Sequence, residues 1–567
     1  MEYKQMYNRW MNFDEKTREE LLSIKDEKEI LDRFYKDLEF GTGGLRGVIG
    51  AGTNRMNIYT VRRATQGLAN YILKKDIKNP SVAIAFDSRL YSDVFAKEAA
   101  LVLNANGIKT YMYEELRPTP MLSFAVRELQ ATSGIVITAS HNPKEYNGYK
   151  VYWNDGGQIT EEHAKGILDE IQRVDYEDIK TCEYDFAKNT GLFNFIDESV
   201  EDKYIELVKE LIINKELVKN VGQQMKIIYT PLHGTGNKPV RRVLKEIGFE
   251  NVEVVAEQEM PDYNFSTVKY PNPEEHEVFK IAIEMARKDD IDLILGTDPD
   301  CDRVGVVVKN DSGEYVVLTG NQTGVLLTEY MLSQLKENKK MPENPMVIKT
   351  IVTTELAREI CRYYDVEIID VLTGFKYIGE KIKEYEGKKN FILGFEESYG
   401  YLSGSFVRDK DGVIACALIC EMAAWYKSRG MSLYDGINEI YKKYGYYKEG
   451  LKSVTLKGIE GNERIKNIME DMRNDSPLKI AGQEVVVVKD YLKGIEKDLK
   501  DGKEKSINLP KSNVIQLWLI DKSLITVRPS GTEPKIKFYF AAVGNDIEEV
   551  NKKISKMEEE TMEFCKL

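Results

Sequence analysis

"QMKIIYTPLHGTGNKPVRRVLKEIGF", residues 224–249, reads as a strand, a polar turn and a helix. The same order recurs along the chain. "SVAIAFDSR" (81–89) has the unbroken apolar run of a buried strand. "SDVFAKEAALVLNANGI" (92–108) follows as a helix, with Ser92 as the candidate N-cap and Gly107 as its stop. "KTYMYEE" (109–115) and "SGIVITASHNP" (133–143) are further strands. "IDLILGTDPDCDRVGVVV" (291–308) is strand, acidic loop, strand, and "NPMVIKTIVTTELAREICRYY" (344–364) starts the pattern again. Such alternation implies α/β domains with mixed or parallel sheets.

Both ends depart from this rhythm. Residues 1 to about 40 read as helices, because "EKTREELLSIKDEKEILDRFYKDL" repeats apolar residues at three and four. A glycine-rich loop, "FGTGGLRGVIGAG" (40–52), and an amphipathic helix, "IYTVRRATQGLANYILKK" (58–75), come next. Near the C-terminus, "EVVVVKDYLKG", "NVIQLWLID" and "SLITVRPSGTEPKIKFYFAAV" precede a charged helix and imply a smaller α+β domain. Three α/β domains are therefore expected, over 1–205 (with the helical extension), 206–320 and 321–445, and an α+β domain over 446–567. Tyr441 to Lys452, rich in Tyr, Lys and Gly, reads as a linker. A chain of 567 residues is too long for one core, which agrees with several domains.

Composition narrows the partners. The net charge of −13 argues against nucleic acid, whose phosphates need a basic surface. It leaves room for small anionic substrates if the cations are gathered in one cleft. No apolar stretch is long enough to span a membrane, and the N-terminus lacks the apolar segment of a signal peptide. The six cysteines form no CxxC pair, a pattern that fits a reducing cytosol. Cys416 and Cys420, in an apolar helical run, read as buried packing.

The sharpest chemical motif is "DPDCDRVGV". In an extended loop the alternating Asp298, Asp300 and Asp302 would point one way. Three converging carboxylates repel one another unless a cation neutralises them, and oxygen ligands select a hard ion such as Mg²⁺. An EF-hand fails, since Arg303 and Lys309 stand where Gly and Glu are required. Ser140, in "TASHNP", has neither a nucleophile elbow nor a base with an acid behind it. As a phosphoserine it would offer oxygens to a metal. Lys150 could then act as general acid or base if burial or neighbouring cations lower its pKa. His141 would face another way in an extended segment and so orient rather than react.

Other stretches suit phosphate and sugar. Arg46 sits in a glycine-rich turn that can face an anion, although neither GxGxxG nor Walker A is present. "RPSGTEPKIK" offers Arg528, Ser530, Gly531 and Thr532 as a phosphate cradle, with Lys535 and Lys537 on one face of the following strand. "GFEESYGYLSGSFVRDKDG" pairs Glu396 and Glu397 with Ser398, a set that can bind vicinal hydroxyls, and later offers Arg408 and Lys410. "LTGFKYIG" adds Thr373, Gly374 and Lys376. His233, in "YTPLHGTG", lacks partner ligands and reads as structural.

Taken in order, "TASHNP", "DPDCDR", "FEES" and "RPSGTEP" resemble the four active-site loops of the α-D-phosphohexomutase family, over nearly the whole chain. The resemblance implies four domains around a central cleft, the first three with related mixed α/β cores. It implies that Ser140 carries a phosphoryl group and joins Asp298, Asp300 and Asp302 in holding Mg²⁺. Arg46 and Lys150 would flank the transferring group, with Arg303, after the metal triplet, among the substrate-binding residues. Glu396 and Ser398 would hold the sugar 3- and 4-hydroxyls, with Thr373, Gly374 and Lys410 also at the substrate. Arg528, Ser530, Gly531, Thr532 and Lys537 would hold the unreactive phosphate. The implied reaction interconverts glucose 1-phosphate and glucose 6-phosphate through glucose 1,6-bisphosphate, in a cytoplasmic monomer or homodimer. Pentose and mannose phosphates are the alternative substrates; Tyr399 and Gly400, where many phosphomannomutases have Gly-His, count against mannose. A non-catalytic sugar-phosphate binder and a metal-dependent phosphatase are the readings from other classes.

Overall fold

A computed structural model describes residues 2–41, 43–456, 458–530 and 535–567. The chain forms two compact units. The first comprises Met1–Thr319, Ile378–Gly394 and Ser398–Ser432; the second comprises Gly320–Tyr377, Phe395–Glu397 and Leu433–Leu567. The region expected as the third domain contributes to both.

Two mixed sheets organise the first unit. The order in one is Gly44–Val48, Tyr146–Trp153, Ser133–Ile137, Ser81–Phe86, Lys109–Met112, Phe193–Phe195. The strands from 81, 109, 133 and 193 run parallel; Tyr146–Trp153 runs against them, and Gly44–Val48, antiparallel to Tyr146–Trp153, runs in their direction again. The order in the other is Tyr315–Leu318, Val304–Lys309, Leu293–Thr297, Ile227–Thr230, Val252–Val254. Strands Ser81–Phe86, Ser133–Ile137 and Leu293–Thr297 are buried at every position, which is why their sequences are apolar runs without alternation. Three short helices, Glu2–Trp10, Glu15–Ser23 and Glu27–Phe34, form the N-terminal extension. Trp10, fully buried, anchors them among the rings of Phe13, Phe34, Tyr59 and Tyr176. Helix Gly412–Ser428 buries Cys416 and Cys420 as free thiols. No helix of the described residues is long and apolar enough to cross a membrane.

In the second unit, Pro345–Thr350 pairs in parallel with Glu367–Val371. The C-terminal region is an eight-stranded antiparallel sheet, whose longest pair joins Tyr446–Thr455 to Lys535–Gly544. Helices Gly458–Asn474 and Ile547–Phe564 supply residues such as Met469, Met472, Val550 and Met557 to its core.

Three local readings are corrected. The glycine-rich loop contains a strand, Gly44–Val48, because it pairs with Tyr146–Trp153. Tyr441–Lys452 is no linker: helix Leu433–Tyr444 passes to strand Tyr446–Thr455 through Gly445 alone, at φ +101. Tyr446 stacks on Tyr441 at 5.6 Å, so the tyrosines are packed rather than loose. Ser92 is the first residue of its helix, not the N-cap, which is Tyr91. The Ser92 hydroxyl instead donates to Asp87 at 2.7 Å, a charged acceptor that outcompetes the helix end.

Candidate active site

Strand Ser133–Ile137 ends where Ser140 begins a tight loop. Ser140 is buried with φ +53, so the segment is not extended. Its backbone N–H donates to the Thr138 hydroxyl at 2.8 Å, which donates to Asp87 at 2.6 Å. Thr138 N–H donates to the carbonyl of Gly148. Gly148 has no room for a side chain: a Cβ there would meet the Thr138 oxygen at 2.4 Å.

Arg89, which the sequence did not single out, fixes this loop from behind. Its guanidinium is fully buried and lies 3.3 Å from Asp87. It donates to the carbonyls of Ser140 and Asn142 at 2.5 Å, Pro143 at 2.8 Å and Tyr146 at 3.1 Å. Phe265 covers its face at 5.0 Å. One signal was available: "FDSR" ends a strand parallel to Ser133–Ile137, and residues just past the ends of neighbouring parallel strands meet.

The acidic triplet converges by a turn, not by extension as expected. Cys301 N–H donates to the Asp298 carbonyl at 2.9 Å, with Cys301 at φ +52. Asp298, Asp300 and Asp302 are buried, and one oxygen of each lies within 4.8 Å of the others. Asp298 accepts from the backbone of Asp302 and Arg303 at 3.0 Å, and from Ser140 Oγ at 2.8 Å. Asp300 accepts from Lys150 at 2.7 Å and from Thr119 Oγ1 at 3.0 Å; Thr119, at the start of helix Thr119–Glu128, is a second residue the sequence did not reveal. Asp302 lies 3.5 Å from Lys150 and 3.2 Å from Lys410. Oδ1 of Asp300 and Oδ1 of Asp302 are buried and make no hydrogen bond among the described residues. Two orphaned carboxylate oxygens beside a third acid and a serine oxygen fit a hard divalent cation.

Charge in the site follows from this packing. Burial, then the two neighbouring carboxylates, push Asp298 well above the usual carboxylate range. Burial acts the same way on Asp300, but Lys150, a hydrogen bond with Asp298 and the charge of Lys410 together outweigh it and hold Asp300 far below that range. Burial alone would lower Lys150; Asp300 and Asp302 outweigh it and raise its pKa. The condition set for Lys150 as a general base, a lowered pKa, is not met by these neighbours, because the groups nearest its ammonium are carboxylates. Loss of hydration, then Arg303 and Arg46, push His141 well below its usual range, so the ring is neutral. His141 does not face away: Nδ1 is 3.2 Å from Ser140 Oγ, because the left-handed Ser140 turns it inward. Arg303 pairs with Glu274, and exposed Arg46 reaches Asn142 at 3.4 Å.

The substrate-loop residues fall in both units. Ser398, in the first, precedes Tyr399, whose carbonyl accepts from Val304 N–H at 3.0 Å. In the second, Glu396 is buried and accepts from Gly374 N–H at 3.1 Å. Beside Gly374, the buried Thr373 hydroxyl makes no hydrogen bond among the described residues. Glu397 accepts from Thr350 at 3.3 Å and Thr353 at 3.2 Å. Arg528 stands directly across the sheet from Lys537, and Ser530 N–H donates to the Lys535 carbonyl at 2.7 Å. Gly531 and Thr532 lie outside the described residues.

Comparison with known proteins places these features. Family models described as phosphoglucomutase/phosphomannomutase α/β/α domains I, II and III match residues 37–178, 202–313 and 319–444. A phosphoglucomutase of Staphylococcus haemolyticus is 39% identical over 526 residues, 92% of this chain and 93% of that protein. One from Staphylococcus epidermidis is 37% identical over 552 residues, 97% and 99% of the two chains. Among solved structures, the open form of the Paramecium phosphoprotein pp63/parafusin, a phosphoglucomutase, matches with TM-score 0.70 at 17% identity, over 94% of this chain and 96% of that one. That likeness shows the fold.

Proposed function

Because the chain belongs to the phosphoglucomutase/phosphomannomutase family, we propose that it interconverts glucose 1-phosphate and glucose 6-phosphate, with Ser140 carrying the transferred phosphoryl group. The observation that carries the reading is Ser140 Oγ at 2.8 Å from Asp298, inside the buried carboxylate cluster. Relatives named phosphoglucomutase over almost their full length support glucose as the sugar.

Asp298, Asp300 and Asp302, with an oxygen on Ser140, would hold Mg²⁺, which supplies positive charge against the transferring phosphoryl group. In the first half-reaction a free sugar hydroxyl attacks phosphorus and the bond to Ser140 Oγ breaks. The hydroxyl proton ends on Oγ, so the products are serine and glucose 1,6-bisphosphate and no net proton is consumed. The bisphosphate then presents its other phosphoryl group, and Ser140 is rephosphorylated by the reverse step. His141, neutral and 3.2 Å from Oγ, can accept that proton in transit. Lys150, kept protonated by Asp300 and Asp302, enters as a donor and as charge compensation. Arg46 and Arg303 add positive charge near Ser140. Lys410 compensates Asp302 at 3.2 Å.

Holding the rest of the sugar phosphate falls to the other loops. Glu396, Ser398, Thr373 and Gly374 suit the hydroxyls, and the open Thr373 hydroxyl is a ready partner. Arg528, Ser530 and Lys537, with Gly531 and Thr532, suit the unreactive phosphate: two cations set opposite one another repel until an anion joins them.

The test is a rate comparison on glucose, mannose and ribose 1-phosphates with Mg²⁺ and catalytic amounts of the matching bisphosphates. Fastest turnover is expected on glucose 1-phosphate, without net phosphate release. Faster turnover of the pentose phosphate overturns the sugar, and net phosphate release overturns the mutase.

A further inference from the structure

Arg408 stands in the substrate-loop region, but its side chain takes no part in the site above. It is 1% exposed. Its backbone N–H donates to Ser123 Oγ at 2.9 Å, and its carbonyl lies so close to Gly379 that a Cβ there would meet it at 2.5 Å. Among the described residues only Nη2 has a carboxylate partner, Glu386 Oε1 at 2.9 Å. Nε and Nη1 are buried and make no hydrogen bond among the described residues. A buried cation with two idle donors is unfavourable unless something else satisfies it.

That guanidinium lines a cavity of about 310 Å³. Arg127 and Lys383 line it too, with Asn154, Asp155 and Glu386. The acids are already engaged: Asp155 with Lys383 at 2.8 Å, and Glu386 with Arg408 and with Arg127 at 3.5 Å. Three cations face two carboxylates, so one positive charge is left over. Burial, and then Arg127, push the Arg408 pKa down, and the carboxylates of Glu386 and Asp155 do not fully offset them.

The cavity is distinct from the serine site. Ser133 lies opposite Trp153, so Asn154 and Asp155 follow at the end of the strand pair remote from Ser140. The four steps from Ser133 to Ile137 alone span about 13 Å.

We propose that this cavity is a second anion site, which takes a phosphate-sized oxyanion on Arg408, Arg127 and Lys383. Inorganic phosphate and the phosphoryl head of a small phosphorylated metabolite share that chemistry, and the cavity has volume for more than a bare phosphate. The proposal stands on these residues alone and does not depend on which sugar the enzyme turns over.

Crystals of the full chain soaked in tungstate, a heavy oxyanion, give the direct test. The expected result is an anomalous peak within hydrogen-bonding distance of Arg408, absent in Arg408→Met. Loss of one charge-assisted contact in Lys383→Met is expected to weaken binding there by about tenfold or more. If Arg408→Met does not fold, Lys383→Met decides. Competition separates the sources: displacement by inorganic phosphate alone points to the free ion, and displacement by glucose 6-phosphate at lower concentration points to a metabolite. The proposal is overturned by water alone beside Arg408, by a peak undiminished in either variant, or by tungstate that neither competitor displaces.

Discussion

Arg89 donates to the carbonyl of Ser140 at 2.5 Å, one of four loop carbonyls on a single buried guanidinium. Ser140 is thus held through its backbone, leaving Oγ to meet Asp298. Arg89→Lys keeps the charge and loses the fork. Displacement of Oγ by about 1 Å costs on the order of 10²-fold in rate. The expected outcome is a fall of that order in kcat with a smaller change in KM, checked by steady-state kinetics beside thermal melting.

Thr119 lies behind the acids proposed to hold Mg²⁺, donating to Asp300 at 3.0 Å. Partners of this kind typically contribute about 10–100-fold to metal affinity. Thr119→Val is expected to shift the Mg²⁺ concentration for half-maximal activity upward by that range. Thr119→Ser, which keeps the hydroxyl, restores it. A Mg²⁺ titration after chelator treatment is the measurement.

Asp411, at the start of a buried helix, gives a pH dependence of stability. It caps helix Gly412–Ser428 through Ile414 N–H and accepts from Tyr204 at 2.8 and 2.9 Å. Burial raises it from 3.8 to about 7 in the folded protein, against the pull of those hydrogen bonds. A folded-state pKa above the unfolded one means that the folded state binds the extra proton. Its stabilisation is complete below 3.8 and is lost as pH rises through about 7. Asp411→Asn keeps an acceptor for the cap and cannot ionise. The melting temperature of the wild type is therefore expected to fall across this window relative to Asp411→Asn, measured by thermal melts across pH.

Lys537, directly opposite Arg528, predicts a trade between stability and binding. Like charges across a strand pair are destabilising by up to about 1 kcal/mol. Lys537→Met is expected to raise the melting temperature of the free protein slightly while raising KM for the sugar phosphate. Melting without ligand and steady-state kinetics on the same variant check both signs.

Much of this was readable from residues, and the misreadings share a cause. The acidic triplet declared itself because three acids alternate between two apolar runs, but its geometry is a turn around Cys301, which alternation does not encode. Arg89 left only its place at a strand end, because its partners are carbonyls 51 or more residues away, and a carbonyl has no sequence signature. Residues 446–452 look like linker by composition and form a strand because they pair with residues about ninety positions later. Ser92 has the character of an N-cap, yet Asp87 takes its hydroxyl. For Arg89, residues 446–452 and Ser92, a long-range or side-chain partner outweighs the local preference.

Phosphoryl transfer through Ser140 is tested most directly by labelling. The protein is incubated with glucose 1,6-bisphosphate bearing labelled phosphoryl groups, and the label is located by intact mass and peptide mapping. The account predicts one phosphoryl group per chain, on Ser140, removed by a chase with glucose 6-phosphate and absent from a catalytically silent Ser140→Ala. Label on another residue, or Ser140→Ala turning over glucose 1-phosphate at the wild-type rate, would contradict it.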